Sequence, residues 1–125
     1  AGQMLLIENE CTVTSEVRCV PTPGHTSGHQ SVVLQNGDET VFFTGDLSTY
    51  SVHFARLPWV TAYDLDPMQQ IETKRIWQKW VEEKDALLFF EHEVETPLAR
   101  LEKVREGKYK IVKVAEHAGL KLISK

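Results

Sequence analysis

Cysteine is scarce: the 125 residues hold two, Cys11 and Cys19, too few for the disulfide framework that small secreted domains use in place of a core. They fall near opposite ends of a segment that reads as one strand, where eight residues at about 3.3 Å each put them roughly 26 Å apart, beyond the reach of a disulfide. The expectation is two free thiols and a reducing, cytoplasmic setting. Long apolar runs are missing as well. Nothing approaches the roughly 18 residues that cross a bilayer, and the opening AGQMLLIENE has neither the basic nor the apolar block of a signal peptide, so no membrane partner is expected. Nor is there an excess of positive charge. Fourteen Lys and Arg are outnumbered by eighteen Asp and Glu, a net charge of −4, and the basic residues are scattered among carboxylates. That excludes the electrostatic footprint of a nucleic-acid binder and favours a small neutral or anionic molecule. No repeat, linker or low-complexity block interrupts the chain.

What is present is an ordinary globular composition, 42% hydrophobic and 26% charged, with a length suited to one domain. Residues 12–20 (TVTSEVRCV) place Val13, Val17 and Cys19 on alternate positions, the pattern of a strand with one buried face. Pro21, Pro23 and Gly24 end it and open a loop to His29. Two further strands, Ser31–Gln35 and Thr40–Thr44, flank Asn36-Gly37-Asp38, the clearest hairpin signal in the chain. A long irregular stretch then runs from Gly45 to Asp66, longer than a passive connection needs to be. Asp66 as cap, Pro67 at the first helical position and Gln69 three residues past the cap predict a helix to Glu83 or Lys84. Its expected apolar face is Ile76, Trp77, Trp80 and Val81, covering a sheet. Ala86–Phe90 reads as a strand buried on both faces, Pro97 as the start of a helix of about ten residues, and Tyr109–Val114 as a last strand. The tail after Val114 fits a short helix or a loose end equally.

The chemistry concentrates in Thr22-Pro23-Gly24-His25-Thr26-Ser27-Gly28-His29. Pro23 stops the strand, Gly24 permits a tight turn, His25 projects from a loop edge that Thr26 can hydrogen-bond, and Gly28 leaves room for a close neighbour. His29 suits a hydrogen bond that orients a metal ligand. Taken alone, two histidines in a glycine loop are more often ordinary surface or core residues. Two further segments change the balance: Phe42-Phe43-Thr44-Gly45-Asp46, a strand that delivers a carboxylate past the sheet edge, and Phe89-Phe90-Glu91-His92-Glu93, a strand ending in histidine. Three ligands of hard and borderline type then converge at strand ends.

TPGHTSGH, FTGD and the strand-end His92, in that order, resemble the third, fourth and fifth motifs of the metallo-β-lactamase superfamily, the glyoxalase II-like and lactonase-like members above all. The resemblance runs from about Glu10 to Val114. It implies an α/β (α+β) fold, one half of an αββα sandwich, with a mixed, mostly antiparallel sheet and helices on one face. It also implies that His25 ligates a first metal, that Asp46 bridges two metals and is the catalytic carboxylate, and that His92 ligates the second. Two zinc ions are the expected cofactor of the parent, iron or manganese being possible replacements. The implied reaction is hydrolysis of a small ester, thioester or lactone by a metal-bound hydroxide.

Two departures from the family pattern stand out. Its His-x-His-x-Asp-His motif, the source of the other ligands, does not occur in this chain, and neither His53 nor His117 can stand in for it. Glu93 follows the last histidine where many relatives carry aspartate; it fits an orienting role and a solvated one equally. The chain is thus expected to be the C-terminal half of the domain, inactive by itself, and to self-associate or pair with the missing half through a sheet face offering Val17, Val33, Phe42 and Phe89. Tyr50, His53 and Trp59 are candidates for a substrate-pocket wall, plain loop packing being the commoner reason for each. Two other functions compete with hydrolysis: a diiron redox or binding-only protein of the same fold, and an unrelated small α/β binding domain in which the motifs are coincidental.

Overall fold

In a computed structural model that describes residues 2–114, seven strands form one sheet, in the order in which the chain makes them. They are β1 (Cys11–Thr12), β2 (Val17–Pro21), β3 (Gln30–Asn36), β4 (Glu39–Phe43), β5 (Leu87–Phe89), β6 (Leu98–Arg105) and β7 (Lys108–Lys113). Every neighbouring pair is antiparallel except β4 and β5, which run parallel. The crossover that parallel strands require carries two helices, α1 (Ser51–Ala55) and α2 (Pro67–Lys84). The expected hairpin forms between β3 and β4: Asn36 pairs with Glu39, and Gly37 takes φ 59°, which glycine reaches without a Cβ clash.

Register sorts the side chains into two faces. One carries Val20, Val33, Phe42, Leu88 and Ala99, all buried, beneath both helices. Phe42 stacks on Trp77 at 4.7 Å and meets Trp80 at 5.9 Å and Phe54 of α1 at 6.3 Å, and Phe54 in turn packs on Phe90 at 6.2 Å. Side chains of this size contribute about 1.5–3 kcal/mol each on full burial, so this seam is the core. The helices lie on one face, as expected. The other face presents two apolar rungs across the strands, Val17–Leu34–Val41–Leu87 and Cys19–Val32–Phe43–Phe89–Leu98. Leu34 and Phe89 are 39% and 37% exposed.

Several expectations change. Val17 and Phe89 lie on the open face, but Val33 and Phe42 belong to the helix-covered core. Each has an apolar neighbour, Val32 and Phe43, and in such doublets alternation cannot say which residue points where. For the same reason β5 is buried on one side only. Residues 12–20 are not one strand: the amides of Val13 and Thr14 both donate to the Val17 carbonyl, and the Thr14 hydroxyl accepts from the amides of Glu16 and Val17. The chain reverses there, so Cys11 and Cys19 are direct partners across β1 and β2, both as free thiols. The helix expected after Pro97 is β6. LARLEKVR is rich in helix formers, yet pairing with β5 on one side and β7 on the other outweighs a propensity of a few tenths of a kcal/mol per residue. The stretch before Asp66 is not wholly irregular, holding a 3-10 turn at Gly45–Leu47 as well as α1.

α2 begins as predicted, with the Asp66 carboxylate accepting from the Gln69 amide at 2.9 Å and Pro67 at its start. Its buried stripe is less apolar than expected. Ile76 is 64% exposed, whereas Gln70, Thr73, Lys74 and Gln78 are buried. Among the described residues no helix is long and apolar enough to cross a membrane. The tail and His117 lie outside the described residues.

Candidate metal centre

His25 sits on a loop that α2 grips from below. Gly24 has φ 144°, and a Cβ there would fall within 2.4–2.6 Å of Gln70 atoms, backbone included, so no larger residue fits. The close approach lets the Gln70 amide oxygen accept from the His25 amide at 2.9 Å, while the Thr73 hydroxyl donates to the Pro23 carbonyl at 2.7 Å. Thr26 helps through its carbonyl, which accepts from the amides of Gly24 and His29; its side chain is exposed. Gly28 has no atom within 4 Å of a Cβ position, so it does not make room for a neighbour.

Asp46 emerges three residues after the end of β4, past Thr44-Gly45. Gly45 takes φ 54°, and a Cβ on it would lie 2.9 Å from His29 Nε2. The Asp46 amide donates to that nitrogen at 2.9 Å, and His29 Nδ1 faces the Thr22 hydroxyl and carbonyl at 2.8 and 3.1 Å. Because Nε2 accepts, the ring proton is on Nδ1 and His29 is neutral. Burial, opposed by the Thr22 carbonyl, lowers its pKa. With both nitrogens engaged, His29 holds the Asp46 backbone and has no nitrogen free for a metal. The Gln70 amide nitrogen donates to the Asp46 and Leu47 carbonyls at 2.9 Å each, so one buried glutamine ties both ligand loops together.

His92 follows β5, the parallel neighbour of β4, and the two strands deliver their ligands at the same sheet edge. Asp46 faces both histidines: Oδ2 is 3.6 Å from His25 Nε2, and Oδ1 is 3.0 Å from His92 Nε2. Donors on one tetrahedral ion with bonds of 2.0–2.1 Å are themselves about 3.3 Å apart, and each of the two Asp46–histidine spacings is near that value. Glu91, which the sequence did not single out, adds a carboxylate 3.3 Å from His92 Nε2, and one ligand atom each of Asp46, Glu91 and His92 fall within 4.8 Å of one another. Nitrogen and carboxylate donors of this kind suit zinc, iron or manganese.

Glu93 is neither solvated nor aimed at the ligands. Its carboxylate accepts from the Ser51 hydroxyl at 2.8 Å and amide at 3.1 Å, pinning α1 to the His92 turn. Burial works to raise its pKa, but the hydrogen bonds from Ser51, Glu95 and Val94 together outweigh this and the net shift is downward. Tyr50, His53 and Trp59 pack on one another: His53 meets the Tyr50 ring at 5.4 Å and the Trp59 ring at 6.3 Å. Burial and the Lys74 charge lower the His53 pKa. Edge-on to His25 lie the rings of His29, 6.0 Å away, and Tyr63, 6.1 Å away. The sequence reading also missed Asp64, whose carboxylate lies 2.9 Å from His25 Nδ1, and Gln70. The available signal was their phase: Gln70 falls on the buried stripe of α2, and Asp64 stands in the stretch already too long for a passive loop.

No family model matches the sequence, and no curated protein does. Solved structures do. A probable metal-dependent hydrolase from Staphylococcus aureus superposes with a TM-score of 0.74 at 21% identity, over 89% of this chain and 40% of its own. An N-acyl homoserine lactone hydrolase, with N-hexanoyl-L-homoserine bound at its catalytic metal centre, gives 0.63 at 27% identity over 71% of this chain and 35% of its own. AidC, a dizinc quorum-quenching lactonase, gives 0.75 at 20% identity over 87% and 37%. The chain therefore spans two fifths or less of the length of these structures. Its sheet and these matches together show the metallo-β-lactamase fold, of which the chain is part of one domain, and its motifs resemble those of that superfamily.

Proposed function

We propose that this chain is the C-terminal half of a metal-dependent hydrolase and contributes His25, Asp46 and His92 to a dinuclear centre, most simply of zinc, whose other ligands lie in a His-x-His-x-Asp-His motif of an N-terminal half. The observation that carries the reading is Asp46, with one carboxylate oxygen turned to each histidine. A metal bound there supplies Lewis acidity and lowers the pKa of water to near neutrality. The chain's own residues do the rest. His29 and Gln70 fix Asp46, Gln70 and Thr73 fix the His25 loop, and Glu93 holds the Tyr50–His53 segment beside the His92 turn. The substrate class is a small ester, thioester or lactone, with Tyr63, and more distantly Tyr50, His53 and Trp59, available to line its approach. With three ligands from a larger set, the chain by itself binds metal weakly and turns over nothing, and its open sheet face pairs with the N-terminal half or with a second copy.

Metal analysis of the parent protein, followed by assays on thioester, lactone and phosphodiester substrates, tests this. Two metal equivalents with turnover of a lactone or thioester are expected, and both should be lost in Asp46→Ala. A metal-loaded parent that turns over none of them would overturn the hydrolase assignment.

A further inference from the structure

His25 has two ring nitrogens with different tasks, and the structure separates them. Nε2 looks toward Asp46, while Nδ1 is 2.9 Å from Oδ1 of Asp64, whose side chain is 2% exposed. The other Asp64 oxygen accepts from the Thr61 amide at 2.8 Å, and the Asp64 amide donates back to the Thr61 carbonyl at 3.2 Å. The carboxylate is therefore held in a closed turn and cannot rotate. The turn is in turn docked on the His25 loop: the Leu65 amide donates to the His25 carbonyl at 3.1 Å and the Asp66 amide to the Gly24 carbonyl at 2.9 Å. Ring and carboxylate thus belong to one hydrogen-bonded unit.

We infer that Asp64 is the positioning residue of His25: its locked carboxylate takes Nδ1 and so turns Nε2 toward Asp46. A carboxylate accepts only, so a proton between the two groups belongs to the ring. An imidazole fixed in this way is a better and better-aimed metal ligand, the usual effect of a carboxylate behind a ligating histidine. The Nδ1–Asp64 contact follows from this chain's geometry alone; its consequence for metal rests on the metal-centre reading above. Asn at position 64 keeps the shape but not the chemistry. It has one acceptor for two donors, the Thr61 amide and the His25 ring, so satisfying Thr61 turns its NH2 toward Nδ1 and moves the ring proton to Nε2.

The test uses the 125-residue chain labelled with 15N. Long-range 1H–15N spectra of the metal-free protein at alkaline pH, where an imidazole carries one proton, are expected to show that proton of His25 on Nδ1, and Asp64→Asn is expected to shift it to Nε2. Zn2+ affinity, measured by competition with a chromophoric chelator, should fall by about 10–100-fold in the variant. A wild-type His25 protonated on Nε2, or a folded Asp64→Asn with unchanged tautomer and affinity, would overturn the inference. If the variant does not fold, the wild-type spectrum alone decides. An Nδ1–H tautomer in a chain and parent that bind no zinc would sustain the Asp64 role while removing the metal centre, so the two readings fail separately.

Discussion

Gly45 stands at the closest approach in the centre. Its φ is 54°, and a Cβ at this position would lie 2.9 Å from His29 Nε2, so any side chain there must push on the imidazole that receives the Asp46 amide. Gly45→Ala is expected to lower stability by about 1–3 kcal/mol, the usual cost of strain and overpacking at a full site, and to weaken Zn2+ binding in the same protein, because Asp46 loses its fixed amide. Denaturant titration and chelator competition on one sample check both. Gly28, with open space around it, is the control, and Ala there should leave both unchanged. At this scale the motifs picked out residues that the fold brings together: Asp46 lies beside His25 and His92, and its amide is bonded to His29. Asp64, Gln70 and Glu91 escaped because a buried carboxylate or amide looks, in one dimension, like any polar loop or helix residue.

α2 acts as a comb of side chains reaching for loop carbonyls. Gln70 takes Asp46 and Leu47, Thr73 takes Pro23, Lys74 takes His53 and Trp59, and Gln78 takes Phe54. Loops that lack ladder partners of their own find them in the helix, which satisfies buried backbone groups that would otherwise cost about 1–3 kcal/mol each. Lys74 supplies a pH signature. Burial lowers its pKa to about 8 against an ordinary value of 10.5, with the Asp64 charge opposing. Below pH 8 the fold bears the full cost of a buried ammonium. Between about 8 and 10.5 the unfolded chain binds a proton that the folded chain has released, so stability rises with pH. Tyr109, pushed up to about 12 by burial and its bond to Glu82, acts in the opposite sense above pH 10. Chemical denaturation from pH 7.5 to 10 is expected to show the rise in wild type and its loss in Lys74→Met. Helix start and end were legible from Asp66, Pro67 and the last turn, but the comb was not: hydrophobic period is the wrong signal for a buried stripe of Gln, Thr and Lys. β6 was misread for the complementary reason, since its strand state comes from neighbours far along the chain rather than from its own residues.

At the scale of the molecule, one sheet face is sealed by Phe42, Trp77 and Phe54 and the other carries two apolar rungs with Leu34 and Phe89 partly bare. A continuous apolar surface of this kind draws a partner on soluble proteins. Sedimentation of the chain at micromolar concentration is expected to show self-association, and the double variant Leu34→Glu with Phe89→Glu to sediment as a monomer; a wild-type monomer at all concentrations would contradict the pairing of this face. The sequence anticipated such a face but drew half of its residues from the wrong side of the pleat, because Val32-Val33 and Phe42-Phe43 are doublets.

The sheet follows the chain strand by strand, and only the β4–β5 pairing must wait for a long crossover to close. His25 lies before that crossover, Asp46 at its start and His92 after it. A chain that has zipped its hairpins but not joined β4 to β5 would therefore possess much of its local structure and only part of its ligand set. Closing a loop of that length is the slow, non-local event of such a topology, so the assembled site is also a clock hand: its ligands come together only when the last long-range pairing is made.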